Sequence, residues 1–158
     1  MGYTHYFQQK RAFTDDEWIL ILGEAKRIVA KAAHGLYTGP KETAARRTFS
    51  HPEVPTPRQG EPILVAGPNG RGKPRLTKHL ISLNGKAPLD YESFVLSKEP
   101  PTPFCDRQNA SALTGFVKTE MRPYDAVVVS ILAVAQQVAP SAITVTSDGG
   151  PSAVRYLF

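Results

Sequence analysis

A single cysteine, Cys105, is the entire thiol content of this 158-residue chain. That excludes an intramolecular disulfide and any Cys-x-x-Cys metal or redox motif. Long hydrophobic runs are also missing. The longest mainly apolar stretch, Ala126 to Ala135, is about half of the ~20 residues that a transmembrane helix needs. Met1 to Arg11 lacks the apolar core of a secretory signal, which makes the cytoplasm the expected location. Gly2 invites N-myristoylation, but Tyr6 stands where that motif wants Ser or Thr. The histidines at 5, 34, 51 and 79 fall at spacings that no metal signature uses, so neither a metal nor a cofactor is expected.

What is present is ordinary in bulk and uneven in detail. The chain is 41% apolar and 21% charged, sized for one domain spanning 1–158. Fourteen prolines and twelve glycines assign much of it to loops, above all the Pro-rich segments 36–61 and 98–115. The net charge of +5 is local. Gly39 to His79 holds eight basic residues against three acids, and the rest balances. An anionic partner would meet that segment through Arg46, Arg47, Arg71, Lys73, Arg75 and Lys78.

Two helices stand out. Thr14 and Glu17 form a capping box, Phe13 and Trp18 a hydrophobic staple, and apolar residues recur at helical spacing to about Gly35. A second helix is expected from Pro123 to about Ala139, with Val128 and Val129 adding apolar surface beyond one stripe; a buried strand over 126–132 is the competing reading. Short strands are expected at 2–7, 63–66, 80–83, 92–96 and 142–147. The fold class is α+β: a mainly antiparallel sheet of about five strands with two helices on one face, in the order β-α-β-β-β-α-β.

Gly67-Pro68-Asn69-Gly70-Arg71-Gly72-Lys73-Pro74 matches the spacing of a phosphate-binding loop but fails at its last position. Pro74 has neither the hydroxyl that ligates magnesium nor an N–H, so a basic turn is the simpler reading. The stretch from Lys118 to Asp125 carries Thr119, Arg122 and Tyr124 at a helix start, where free N–H groups and the helix dipole favour an anion.

The opening Met1 to Tyr6, with Ser82 to Gly85, Glu92 to Phe94, Lys118-Thr119 and Pro123-Tyr124-Asp125, resembles a family of small phage and bacterial proteins that begin MGYTHY. The resemblance implies a phage accessory protein, hence a host-cell cytoplasmic location, and supplies no catalytic residues. The Pro-rich basic loop departs from that family's pattern.

Tyr3, His5 and Tyr6, with Lys118, Thr119, Arg122, Tyr124 and Asp125, are polar or aromatic where packing alone would prefer aliphatics. If the first strand lies beside the second helix's start, they form one pocket for a nucleotide-like anion. The leading expectation is therefore a non-enzymatic binder of a small phosphorylated ligand, able to sequester a host defence signal. A hydrolase or transferase using His5 or Cys105 is the second, and a nucleic-acid or host-protein binder using 39–79 the third. Homo-oligomerisation stays open.

Overall fold

A computed structural model describes residues 3–39, 57–100 and 114–158. Cys105, Arg46, Arg47 and His51 lie outside the described residues. Among the described residues nine α-helices and strands follow one another: β1 (Thr4–Gln9), α1 (Asp15–Ala33), β2 (Val65–Ala66), β3 (Arg75–Leu76), β4 (Leu80–Gly85), β5 (Phe94–Ser97), β6 (Gly115–Lys118), α2 (Asp125–Val138) and β7 (Ile143–Ser147). The class is α+β with antiparallel pairing throughout. β3 and β6 are additional to the expected strands. Both are short, and β6 begins inside the segment that the prolines at 100, 101 and 103 had marked as loop.

Two sheets share one layer. β1 lies between β6 and β7 in the first, and β4 pairs with β2, β3 and β5 in the second. The inward residues of both sheets join the apolar faces of both helices in a single core, among them Phe7, Val117 and Ile143 from the first sheet and Ile81, Leu83 and Phe94 from the second. One core means that both helices cover the same face. The Phe7 and Phe94 rings meet edge to face across the seam, with centroids 6.1 Å apart.

Helix α1 starts as the sequence dictates. Thr14 Oγ1 accepts the Glu17 N–H, and the Glu17 carboxylate accepts the Thr14 N–H. Arg11 grips the same carboxylate through both terminal nitrogens at 2.9 Å. The Phe13 and Trp18 rings lie 5.8 Å apart, closing the staple. At the other end Gly35 takes φ +73°, and the Leu36 N–H returns to the Lys31 carbonyl. That left-handed step is the reason for a glycine there.

Helix α2 is buried almost all round, and the reading of 126–132 as a strand does not hold. Its faces meet α1, the sheet and the C-terminal segment. Ser130 shows how a polar residue fits: its hydroxyl donates to the Ala126 carbonyl and accepts the Leu157 N–H. The loop Gly67 to Lys73 forms a short 3-10 turn at Pro68–Gly70, followed by β3 rather than a helix. A basic turn is what the missing Ser or Thr implied.

The arginine and cap bonds hold the Glu17 carboxyl down at about 2, below its ordinary 4.5. A depressed folded value means that Glu17 stabilises the fold above pH 4.5 and loses that contribution as pH falls towards about 2. Thr14→Ala should cost about 1 kcal/mol at neutral pH. The stability gap between wild type and Glu17→Gln should shrink as pH drops from 4.5 towards 2, measured by urea unfolding.

Candidate functional site

Strand alternation turns Tyr3, His5, Phe7 and Gln9 inward, and puts Tyr6 on the opposite face. Pairing then supplies their neighbours. Thr4 opposes Lys118 on β6, so the next residue, Thr119, lies beside Tyr3 and donates its N–H to the Tyr3 carbonyl. His5 opposes Ser147 on β7. The first strand does lie beside the start of α2, as the pocket expectation required.

Four polar side chains, from β1, β7, α2 and the turn after β6, converge there. His5 Nε2 is 2.5 Å from Asp125 Oδ1, and Thr119 Oγ1 donates to the same oxygen at 2.6 Å. His5 Nδ1 is 2.8 Å from Ser147 Oγ, which also accepts the Gly149 N–H. A carboxylate can only accept, so Nε2 carries a proton; in the singly protonated ring Nδ1 then accepts the Ser147 hydroxyl. The Tyr3 ring stands edge-on to His5 at 5.1 Å. Asp148 closes the end, its carboxylate accepting the Thr4 N–H and its N–H returning to the Thr4 carbonyl.

The backbone between β6 and α2 is bent to permit this. Glu120 and Met121 have φ of 53° and 56°, and the Arg122 N–H donates to the Thr119 carbonyl across them. Two left-handed residues in one turn are the pattern of a type I′ turn, normally filled by Gly, Asn or Asp. Each non-glycine costs about 1–2 kcal/mol there. The buried network offsets that cost by fixing Thr119 and Asp125 on either side.

The expected anion site at the helix start does not form as drawn. The N–H groups of Asp125, Ala126 and Val127 are taken by the carbonyls of Arg122, Pro123 and Tyr124. His5, Thr119 and Tyr124 are each no more than 1% exposed, and the cavity bordering Asp125 has a volume of only about 10 Å³, room for one water at most. Tyr124 donates to the Glu92 carbonyl at 2.8 Å, and burial pushes its hydroxyl well above the ordinary tyrosine range. Lys118 gives its backbone N–H to the Glu92 carboxylate. Tyr3, His5, Thr119, Tyr124 and Asp125 are assembled, but inward.

A series Ser–His–Asp invites comparison with hydrolases. Here the carboxylate binds Nε2 and the serine Nδ1, the reverse of the usual connection, and His5 has no exposed surface. The arrangement fits a structural clamp. Sequence reading missed Ser147 and Asp148 as partners of the site, because the end of an expected strand and the Asp-Gly-Gly turn after it show no link to His5 until β7 is seen to pair with β1.

Arg122, like Tyr6 and Lys118, is only half-buried. Its guanidinium lies 5.4 Å from the Tyr91 ring centre, and Nη1 donates to the Pro88 carbonyl at 3.3 Å. Nε is buried with no partner among the described residues. Pro88 is a wall of an open cleft of about 360 Å³ that runs along the outside of the helix start. Leu64, Pro123 and Tyr124 supply apolar wall, while Arg58, Lys86 and Glu61 supply charge. Asn84 sets the loop forming one side: its amide donates to the Tyr91 carbonyl, and its oxygen accepts the N–H groups of Gly85 and Tyr91.

Among the described residues no group of three His, Cys, Asp or Glu side chains could hold a metal, and no helix is long and apolar enough to cross a membrane. Comparison with protein-family models, curated proteins and solved structures found no match.

Asp125→Ala leaves His5 buried without its strongest partner and should destabilise the fold by about 3 kcal/mol or more. Thr119→Val should cost about 1–2 kcal/mol. Because both act on Oδ1, the double variant should cost less than the two single losses added together, read from urea midpoints.

Proposed function

We propose that the protein binds a small anionic, nucleotide-like ligand in the cleft beside the start of α2. The observation that carries this reading is the cleft itself, about 360 Å³ of largely apolar wall with Arg58, Glu61 and Lys86 on it, one of whose lining residues, Pro88, accepts a bond from the neighbouring Arg122. That volume lies in the range of small-molecule sites, where apolar walls take a ring and a few polar groups fix its orientation. Guanidinium and ammonium groups suit a phosphate, the arginine by paired donors and the lysine as a point charge. Glu61 stands 3.9 Å from Arg58 and would be displaced from it by a stronger anion.

The reading keeps the ligand class expected from sequence and moves it outward, from the Tyr3–His5–Thr119 interior to the opposite side of the same helix start. With the resemblance to the phage family, the matching biological role is sequestration of a host nucleotide signal. Such a role needs binding without turnover, and the sealed His5 is consistent with that.

A thermal-shift panel of mononucleotides and cyclic dinucleotides tests it. A true ligand at one hundred times its Kd should stabilise the protein by about 2.7 kcal/mol, a rise of several degrees in Tm. Lys86→Ala and Arg122→Ala should each remove most of that rise. No shift across the panel, or a shift unchanged in both variants, would sink the proposal.

A further inference from the structure

Among the described residues, α1 and α2 cover one face of the sheet layer, and the other face carries exposed Phe116 and Val95 beside a buried Ser82. Direct cross-strand partners point to the same face. In the first sheet Phe116, Tyr6 and Thr146 form one outward row, since Tyr6 opposes Phe116 on β6 and Thr146 on β7. In the second sheet Arg75, Ser82 and Val95 form another, since Ser82 opposes Arg75 on β3 and Val95 on β5. Phe116 is 54% exposed and Val95 46%, the two facing each other across a groove of about 480 Å³ between β5 and β6.

That groove is held open at both ends. At one end the Glu92 N–H donates to the Lys118 carbonyl and the Glu92 carboxylate accepts the Lys118 N–H. At the other, Gln9 Nε2 donates to the carbonyls of Ser97 and Lys98, both at 3.0 Å. Gly115 keeps its wall thin, because a Cβ there would strike the Phe7 ring. The groove is therefore part of the fold's fixed geometry.

Beyond β5, Arg75 stands in the outward row on β3. Arg71, Lys73 and Lys78 flank it in sequence, all four cations are exposed, and no acid occurs between residues 71 and 79. A sheet face that places a phenylalanine beside a tyrosine, with cations two strands beyond the groove, matches what unpaired nucleotides need: π-faces to stack on and positive charge along the backbone track. A duplex would use the charge alone, because its bases are already stacked.

We propose that this face is a binding platform for single-stranded nucleic acid, with bases stacking on Phe116 and Tyr6 and phosphates running towards Arg75 and Lys73. The platform is separate from the cleft beside α2 and stands or falls without it. It also differs from the basic loop reading, because the aromatic pair supplies a preference for single strands that cations cannot.

Fluorescence anisotropy tests it, with labelled single strands of about 12 nucleotides, RNA in one arm and DNA in the other, against the matching duplex at low salt. Saturable binding tighter for either single strand than for duplex is expected. Phe116→Ala should weaken it about tenfold or more while circular dichroism and Tm stay near wild type. The pair Lys73→Glu and Arg75→Glu should weaken it and flatten its salt dependence. No anisotropy change with either strand would overturn the proposal, as would equal affinity for duplex, or Phe116→Ala binding as well as wild type. A concentration-dependent dimer that Phe116→Ala abolishes would assign the face to self-association instead.

Discussion

The 2.5 Å bond between His5 Nε2 and Asp125 Oδ1 ties the middle strand of one sheet to the first turn of the most buried helix. It joins residues 120 positions apart, so it closes the fold rather than decorating it. Thr119 and Ser147 complete the same node from the two flanking strands. A buried charge is tolerable only when its lone pairs are used, and the Asp125 oxygen has two donors within 2.6 Å. From this node follow the turn at Glu120–Met121, the placement of Tyr124 beneath the Glu92 carbonyl and that of Arg122 over the Tyr91 ring.

The same node explains why the molecule has two different outer surfaces. Residues pulled inward by His5 leave Pro123 and Tyr124 as one wall of a cleft whose charge comes from elsewhere, Arg58, Lys86 and Glu61. On the far side, β1 presents Tyr6 because period-two alternation has already spent Tyr3, His5 and Phe7 on the core. The split between the sheets is set by Gln9 and Glu92, which are bonded across it instead of letting β5 and β6 pair along their lengths.

How much of this was legible depends on the range of the interaction. The capping box at Thr14–Glu17 and the Phe13–Trp18 staple are local, and each formed as read. Helix α2 was legible from Pro123 at its start and the helical spacing of the apolar residues after it, although Val128 and Val129 kept a buried strand over 126–132 as the competing reading. β3 and β6 were not, since two and four residues carry no usable period and exist only through β4 and β1. At the site, Tyr3, His5, Thr119 and Asp125 were found by their chemical oddity, and their convergence was correctly conditioned on the first strand's position. Their direction was not legible. Nothing in a sequence says whether a polar residue turns towards a ligand or towards another polar residue of the same chain.

That ambiguity has a physical resolution in this fold. A ligand site must keep donors that are not yet satisfied, whereas a clamp must satisfy all of them before it is sealed. His5 meets the second condition, with a partner on each ring nitrogen and no exposed surface. Arg122 does not, since its Nε is buried with no partner among the described residues while its guanidinium rests on Tyr91. Across the turn between β6 and α2, Thr119 and Asp125 are bonded into the clamp while Arg122 between them is not. The chemistry worth pursuing lies where donors stay unsatisfied, outside the network that first drew attention to the loop.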